Sequence, residues 1–221
     1  MSQTLTLPPA APVVPRRSAA ADLLAGSAYV LTGFPLALAA FVLLVTGAAL
    51  GLGTLVIAVG FAVLALTLAI AQGFATLERS RLDLALGRRL PRPAYRPLRD
   101  GTLGGVLSAG ADPRRWLDLV HGIVAFPVAT ATFAVVVAWW SAAVGGTGYM
   151  LWEWALPRDN PDNTTLAELI GLGSGRGPDL LLTTGIGLFA LVTLPLVVKG
   201  CVAVQAGIAR ALLGGTDGIA G

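Results

Sequence analysis

Four stretches of the chain, Tyr29–Leu50, Thr54–Ala71, Leu119–Val144 and Leu180–Val198, contain no Asp, Glu, Lys or Arg. Each approaches or exceeds the ~20 residues that a helix needs to cross a bilayer. A water-soluble bundle of such helices would need a polar stripe on every one, and these have none. Charged residues make up 12% of the chain, half of the roughly 25% usual in soluble domains. The expected class is an all-α integral membrane protein with four spans.

Basic residues in short flanks indicate which side of a span faces the cytoplasm. Arg16, Arg17, the nine arginines from Arg79 to Arg115, Lys199 and Arg210 fall on one side, and only Arg158 and Arg176 on the other. This count puts both termini and the central loop in the cytoplasm of a multi-pass plasma-membrane protein. The expected layout is a disordered or interfacial tail over 1–27 and a four-span domain over 28–214, with a tail over 215–221. Within the domain, spans run over 29–50, 54–75, 119–144 and 180–200, the last continued by a cytoplasmic helix to 214. A cytoplasmic loop covers 76–118 and an extracellular loop 145–178. Arg16-Arg17 could also open a cleaved signal, but the apolar run after it exceeds a signal's 7–15 residues. Trp139, Trp140, Tyr149, Trp152 and Trp154 gather at the expected outer end of the third span, as interfacial aromatics do. The single cysteine, Cys201, excludes an internal disulfide. Fourteen arginines against one lysine, with Ala and Gly abundant, suggest a GC-rich bacterial genome.

The chain repeats itself. FPLALAAFVLLV at Phe34–Val45 returns as FPVATATFAVVV at Phe126–Val137, and QGFATLERSRLDLALG at Gln72–Gly87 corresponds to KGCVAVQAGIARALLG at Lys199–Gly214. The expectation is two tandem helical hairpins, the second with a longer external connection. With both copies starting inside, they form a parallel repeat related by an axis along the membrane normal. Pro35, Pro127 and Pro195 each remove a helix hydrogen bond and kink their span.

Polar sequence outside the spans supplies the site expectations. Leu77–Leu86 continues the second span as an amphipathic helix, with Arg79 and Asp83 at i,i+4 and Gly87 as its C-terminal cap. Asp112-Pro113 restarts helix, with Asp as N-cap and Pro at the first position. Arg79, Arg81, Arg88, Arg89, Arg92, Arg96, Arg99, Arg114 and Arg115 form a basic inner surface for anionic inner-leaflet lipids or a partner. The outer loop, with Trp152, Glu153, Trp154 and Glu168, is the expected receiver of an outside cue; Thr165 and Glu168 make a capping box. Gly47 and Gly51 form a GxxxG helix-contact signal. Lys199 is expected to snorkel, and His121 to be a satisfied or interfacial imidazole. No metal, cofactor or catalytic set is expected: no nucleotide, nucleophile or zinc motif is present.

The Phe-Pro openings of both hairpins, the Leu77-Glu78-Arg79 exit, the Pro91-Arg92-Pro93 stretch and Asp112-Pro113…Trp116 resemble the actinobacterial "putative sensor" membrane domain family. The resemblance covers about 29–214. It implies a signal-input domain often found ahead of a histidine kinase, here without one. The expected function is therefore a non-catalytic membrane sensor module relaying an extracellular or membrane cue to a separate effector. Its partners would be a histidine kinase, a transcription regulator or a transporter, with homo-oligomers also open and nucleic acid not expected. The alternative is a small transporter or an accessory subunit of one, and a membrane enzyme comes third.

Overall fold

The computed structural model describes residues 18–57, 59–87, 95, 110–155, 165–173 and 175–214. Among them are four long helices and no strand: α1 (Ala19–Gly53), α2 (Val59–Leu86), α3 (Pro113–Thr147) and α4 (Arg176–Leu213). All four are long and apolar enough to span a membrane. Large side chains such as Val42, Phe61, Phe189, Val192 and Leu196 point outward, an apolar surface that suits lipid and would be a liability in water.

The helix ends follow local chemistry. Ser18 Oγ accepts from Ala21 N at the start of α1. Asp112 Oδ1 accepts from Arg114 N at the start of α3, with Pro113 at the first position. Gly87, at φ 62°, follows α2, and its N–H donates to Asp83 O. Thr54 Oγ1 donates to Leu50 O, and α1 runs to Gly53 with the turn on Leu55–Ile57, later than the gap over 51–53 left between the first two expected spans. Pro35, Pro127 and Pro195 all lie inside continuous helices.

Hairpin partners run antiparallel. In the first, Gly47 faces Thr67 and Gly51 faces Leu64, so the GxxxG pair sits on the α1–α2 contact. In the second, α3 and α4 meet backbone to backbone: a Cβ on Gly146 would lie 2.5 Å from Gly187 Cα. Only glycine permits that approach.

The relation between the hairpins corrects the sequence expectation. Phe34 stacks on Phe133 and Phe41 on Phe126, with ring centroids 4.7 and 4.6 Å apart, and Trp140 Nε1 donates to Ser27 Oγ. Each step toward the C-terminus of α1 is thus a step toward the N-terminus of α3. The two Phe-Pro helices are antiparallel, and α1 and α4 run the same way, with Gly26 against Val198 and Gly33 against Gln205. Antiparallel Phe-Pro helices do not fit an axis along the helices. The expectation rested on arginines in the connections; the packing is set by side chains inside the bundle.

Candidate functional site

An apolar four-helix bundle has little use for charge in its interior, because desolvating each ion costs several kcal/mol unless partners repay it. Among the described residues this bundle nevertheless holds three charged sets, two of them containing residues from the end of α2.

The first joins α1 to α2. Tyr29 OH donates to Glu78 Oε1 at 2.6 Å, and Arg81 Nη1 is paired with Glu78 Oε2. Arg81 Nη2 donates to Tyr29 O at 2.6 Å and to Thr32 Oγ1 at 3.2 Å, and the guanidinium lies over the Tyr29 ring. Beyond this cluster opens a cavity of about 40 Å³ between the four helices, lined by Gly33, Glu78, Arg81, His121 and Gln205 among apolar side chains. Gln205 Nε2 donates to Thr132 Oγ1 at 2.6 Å. Gly33 has no room for a larger residue, since a Cβ there would sit 3.1 Å from Gln205 Oε1 and 3.2 Å from Arg81 Nη2.

The second cluster ties α2, α3 and α4 to the central connection. Arg79 Nη2 donates to Asp118 Oδ1 at 3.2 Å and to Leu213 O at 3.4 Å. Arg79 Nη1 donates to Tyr95 OH at 3.2 Å, and Tyr95 OH donates to Asp118 Oδ2 at 2.8 Å. Arg115 covers the Tyr95 ring and pairs with Asp112 at 3.8 Å. Burial first, then the hydrogen bond to the Asp118 carboxylate, hold the Tyr95 hydroxyl above the ordinary tyrosine range.

A third set caps the end where α3 meets α4. Arg176 Nη2 pairs with the fully buried Glu153 at 2.8 Å, and Tyr149 OH donates to Asp179 Oδ2 at 2.5 Å. Trp152 packs edge-on against Tyr149.

Several expected site residues therefore stand elsewhere than on a surface. Arg79, Arg81 and Arg115 turn inward, and Arg79 reaches Asp118 rather than standing out as part of a helix-face pair. Arg88, Arg89, Arg92, Arg96 and Arg99 lie outside the described residues. Of the expected cue loop, Trp154 is exposed and Trp152 partly so, while Glu153 is a buried ion-pair partner. Thr165 Oγ1 does accept from Glu168 N, as the capping box requires. Lys199 is exposed. His121 is 7% exposed and lines the cavity, with no hydrogen bond to its ring among the described residues. Tyr29, Asp118 and Gln205 were not singled out by sequence, and Glu78 only as part of the Leu77-Glu78-Arg79 exit. The one available signal was the i,i+3 spacing of Glu78 and Arg81 at the end of an apolar helix.

The family model described as "Putative sensor" matches residues 29–213. The chain belongs to this family. Neither curated proteins nor solved structures gave a match. The match takes in all of the charged clusters and all four helices but for the first turns of α1. A sensor-family chain thus carries buried charge both where α2 meets its neighbours and where α3 meets α4, and no group of three or more His, Cys, Asp or Glu suited to a metal occurs among the described residues.

Proposed function

We propose that this protein is a non-catalytic signal-input module of the membrane, relaying an extracellular or membrane cue to a separate effector. The observation that carries this reading is the clamp on Tyr95. A residue of the arginine-bearing central connection is held by Arg79 and Asp118, from two different helices, beside the end of a third at Leu213. A change in how α2, α3 and α4 pack must alter that clamp, and with it the presentation of the connection. A cue shifts such an equilibrium only by its differential affinity for the two arrangements. The effector is a histidine kinase or transcription regulator, with anionic lipid holding the basic segment at the surface.

The test is in-membrane crosslinking followed by mass spectrometry, comparing wild type with a variant carrying Arg88, Arg89, Arg92, Arg96 and Arg99 all changed to Ala. A regulator captured by wild type and lost in the variant supports the relay. Recovery of lipid and self alone sinks it.

One observation favours a second reading, a small transporter or transport subunit. Antiparallel Phe-Pro helices, with a cavity bearing Glu78, Arg81 and His121 between the hairpins, suit the inverted-repeat arrangement in which transporters hold substrates at the repeat interface. Solute flux in proteoliposomes, abolished by Gly33→Leu, would move the assignment there.

A further inference from the structure

We propose that the cavity between the hairpins is a proton-binding site, in which the imidazole of His121 takes up a proton and Glu78 supplies the balancing charge. The inference deepens the sensing reading by naming its cue.

Three observations lead to it. His121 is nine-tenths buried, lines the cavity, and makes no ring hydrogen bond among the described residues, so a basic nitrogen is left for an incoming proton. The cavity of about 40 Å³ has room for up to about three waters and falls far below the ~300 Å³ of a small-molecule pocket. Ionisable groups buried among spanning helices mark ion or proton paths by default.

The surroundings supply the counter-charge. From α2 come Glu78 and Arg81 on the cavity wall and Arg79 nearby, its own charge engaged by Asp118 of α3. From α4 comes Gln205, neutral, and α1 contributes Tyr29 through Glu78. The proton passes from water through the cavity mouth to a ring nitrogen; an N–H bond forms and no covalent bond breaks. The new imidazolium draws on Glu78, which already holds the Tyr29 hydroxyl and Arg81. Sharing the carboxylate a third way loosens the Tyr29–Glu78 bond that ties α1 to α2, so proton occupancy biases the first hairpin.

His121 is the only histidine in the chain, which makes the test direct. The full chain, labelled with ¹⁵N in its imidazole, is placed in lipid nanodiscs and titrated by NMR from about pH 5 to 8, the window in which imidazoles change charge. The expected result is one titration whose midpoint falls by about one unit in Glu78→Gln, as loss of a nearby opposite charge requires. In wild type, Tyr29 ring signals should move with the same midpoint. A ring that stays neutral throughout, or a midpoint indifferent to Glu78→Gln, overturns the proposal. Should Glu78→Gln fail to fold, Tyr29→Phe serves: freeing the carboxylate of one donor should raise the midpoint, and an unmoved midpoint counts against the site. The two readings fail separately. Partner capture without titration leaves the relay standing and removes the proton, while titration without capture does the reverse.

Discussion

The two hairpins are held together by different means. In α3–α4 the backbones touch at Gly146 and Gly187, and hydrogen bonds run along the contact from Trp139 to Thr193 and from Gln205 to Thr132. In α1–α2 a glycine meets backbone only at the turn, Gly60 against Gly51; along the helices Gly47 and Gly51 make room for the side chains of Thr67 and Leu64, and the far end is closed by Tyr29, Glu78 and Arg81. A backbone contact has one working geometry. A charge cluster can trade partners. The difference points to a rigid second hairpin and an adjustable first one, with the cavity lying between them.

The largest effect should come from breaking the charge cluster. Arg81→Ala leaves Glu78, whose side chain is 12% exposed, inside the bundle without its guanidinium. Removing one partner of a buried pair costs about 3–5 kcal/mol, whereas replacing both by apolar residues is often neutral. Arg81→Leu with Glu78→Leu should therefore recover much of the stability lost by Arg81→Ala, as measured by reversible unfolding in mixed micelles. No recovery would mean that the cluster holds the hairpin by more than compensated charge.

Next comes the glycine contact. A methyl on Gly187 meets the backbone of Thr147 and Gly146, which cannot step aside; a methyl on Gly47 meets the Thr67 side chain, which can turn. Gly187→Ala should cost about 3 kcal/mol, the upper end for overpacking, and Gly47→Ala about 1 kcal/mol. Equal costs would erase the distinction between the hairpins.

A smaller effect separates the clamp from both hairpins. Burial and the Asp118 carboxylate hold the Tyr95 hydroxyl above its ordinary range. Its folded-state value is raised, so its contribution is fully present below the unfolded value of about 10 and is lost as pH rises toward the folded value. Wild type should lose stability above about pH 10 more steeply than Tyr95→Phe. Parallel curves would show that the clamp contributes nothing to folding.

What could be read in the sequence was whatever depends on near neighbours in the chain. The four apolar helices, the Asp112-Pro113 start and the Gly87 stop all rest on local pattern, and each has its counterpart in the structure. The direction of one hairpin relative to the other does not. Arginine counts weigh the connections, but Phe34 finds Phe133 and Ser27 finds Trp140 through interior contacts more than ninety positions apart in the chain. The charged site was hidden for the same reason. Glu78, Arg79 and Arg81 follow an apolar run as a surface helix would, and only Tyr29 and Asp118, from other helices, turn them inward.

The smallest expected effect is also the most discriminating, because it compares two neighbouring residues of one type. Trp139 Nε1 donates to Thr193 Oγ1 at 3.0 Å, within the second hairpin, and Trp140 Nε1 donates to Ser27 Oγ at 3.1 Å, between the hairpins. Each bond is worth about 0.6 kcal/mol inside a membrane, so Trp139→Phe and Trp140→Phe should destabilise the bundle by similar small amounts. Their effects on motion should differ. If the second hairpin is rigid and the hairpins shift against each other, Trp140→Phe should speed amide exchange in α1 around Ser27, and Trp139→Phe should leave α1 unchanged. Faster exchange in α1 with both variants would make the four helices a single cooperative body, and the adjustable first hairpin would have to be given up.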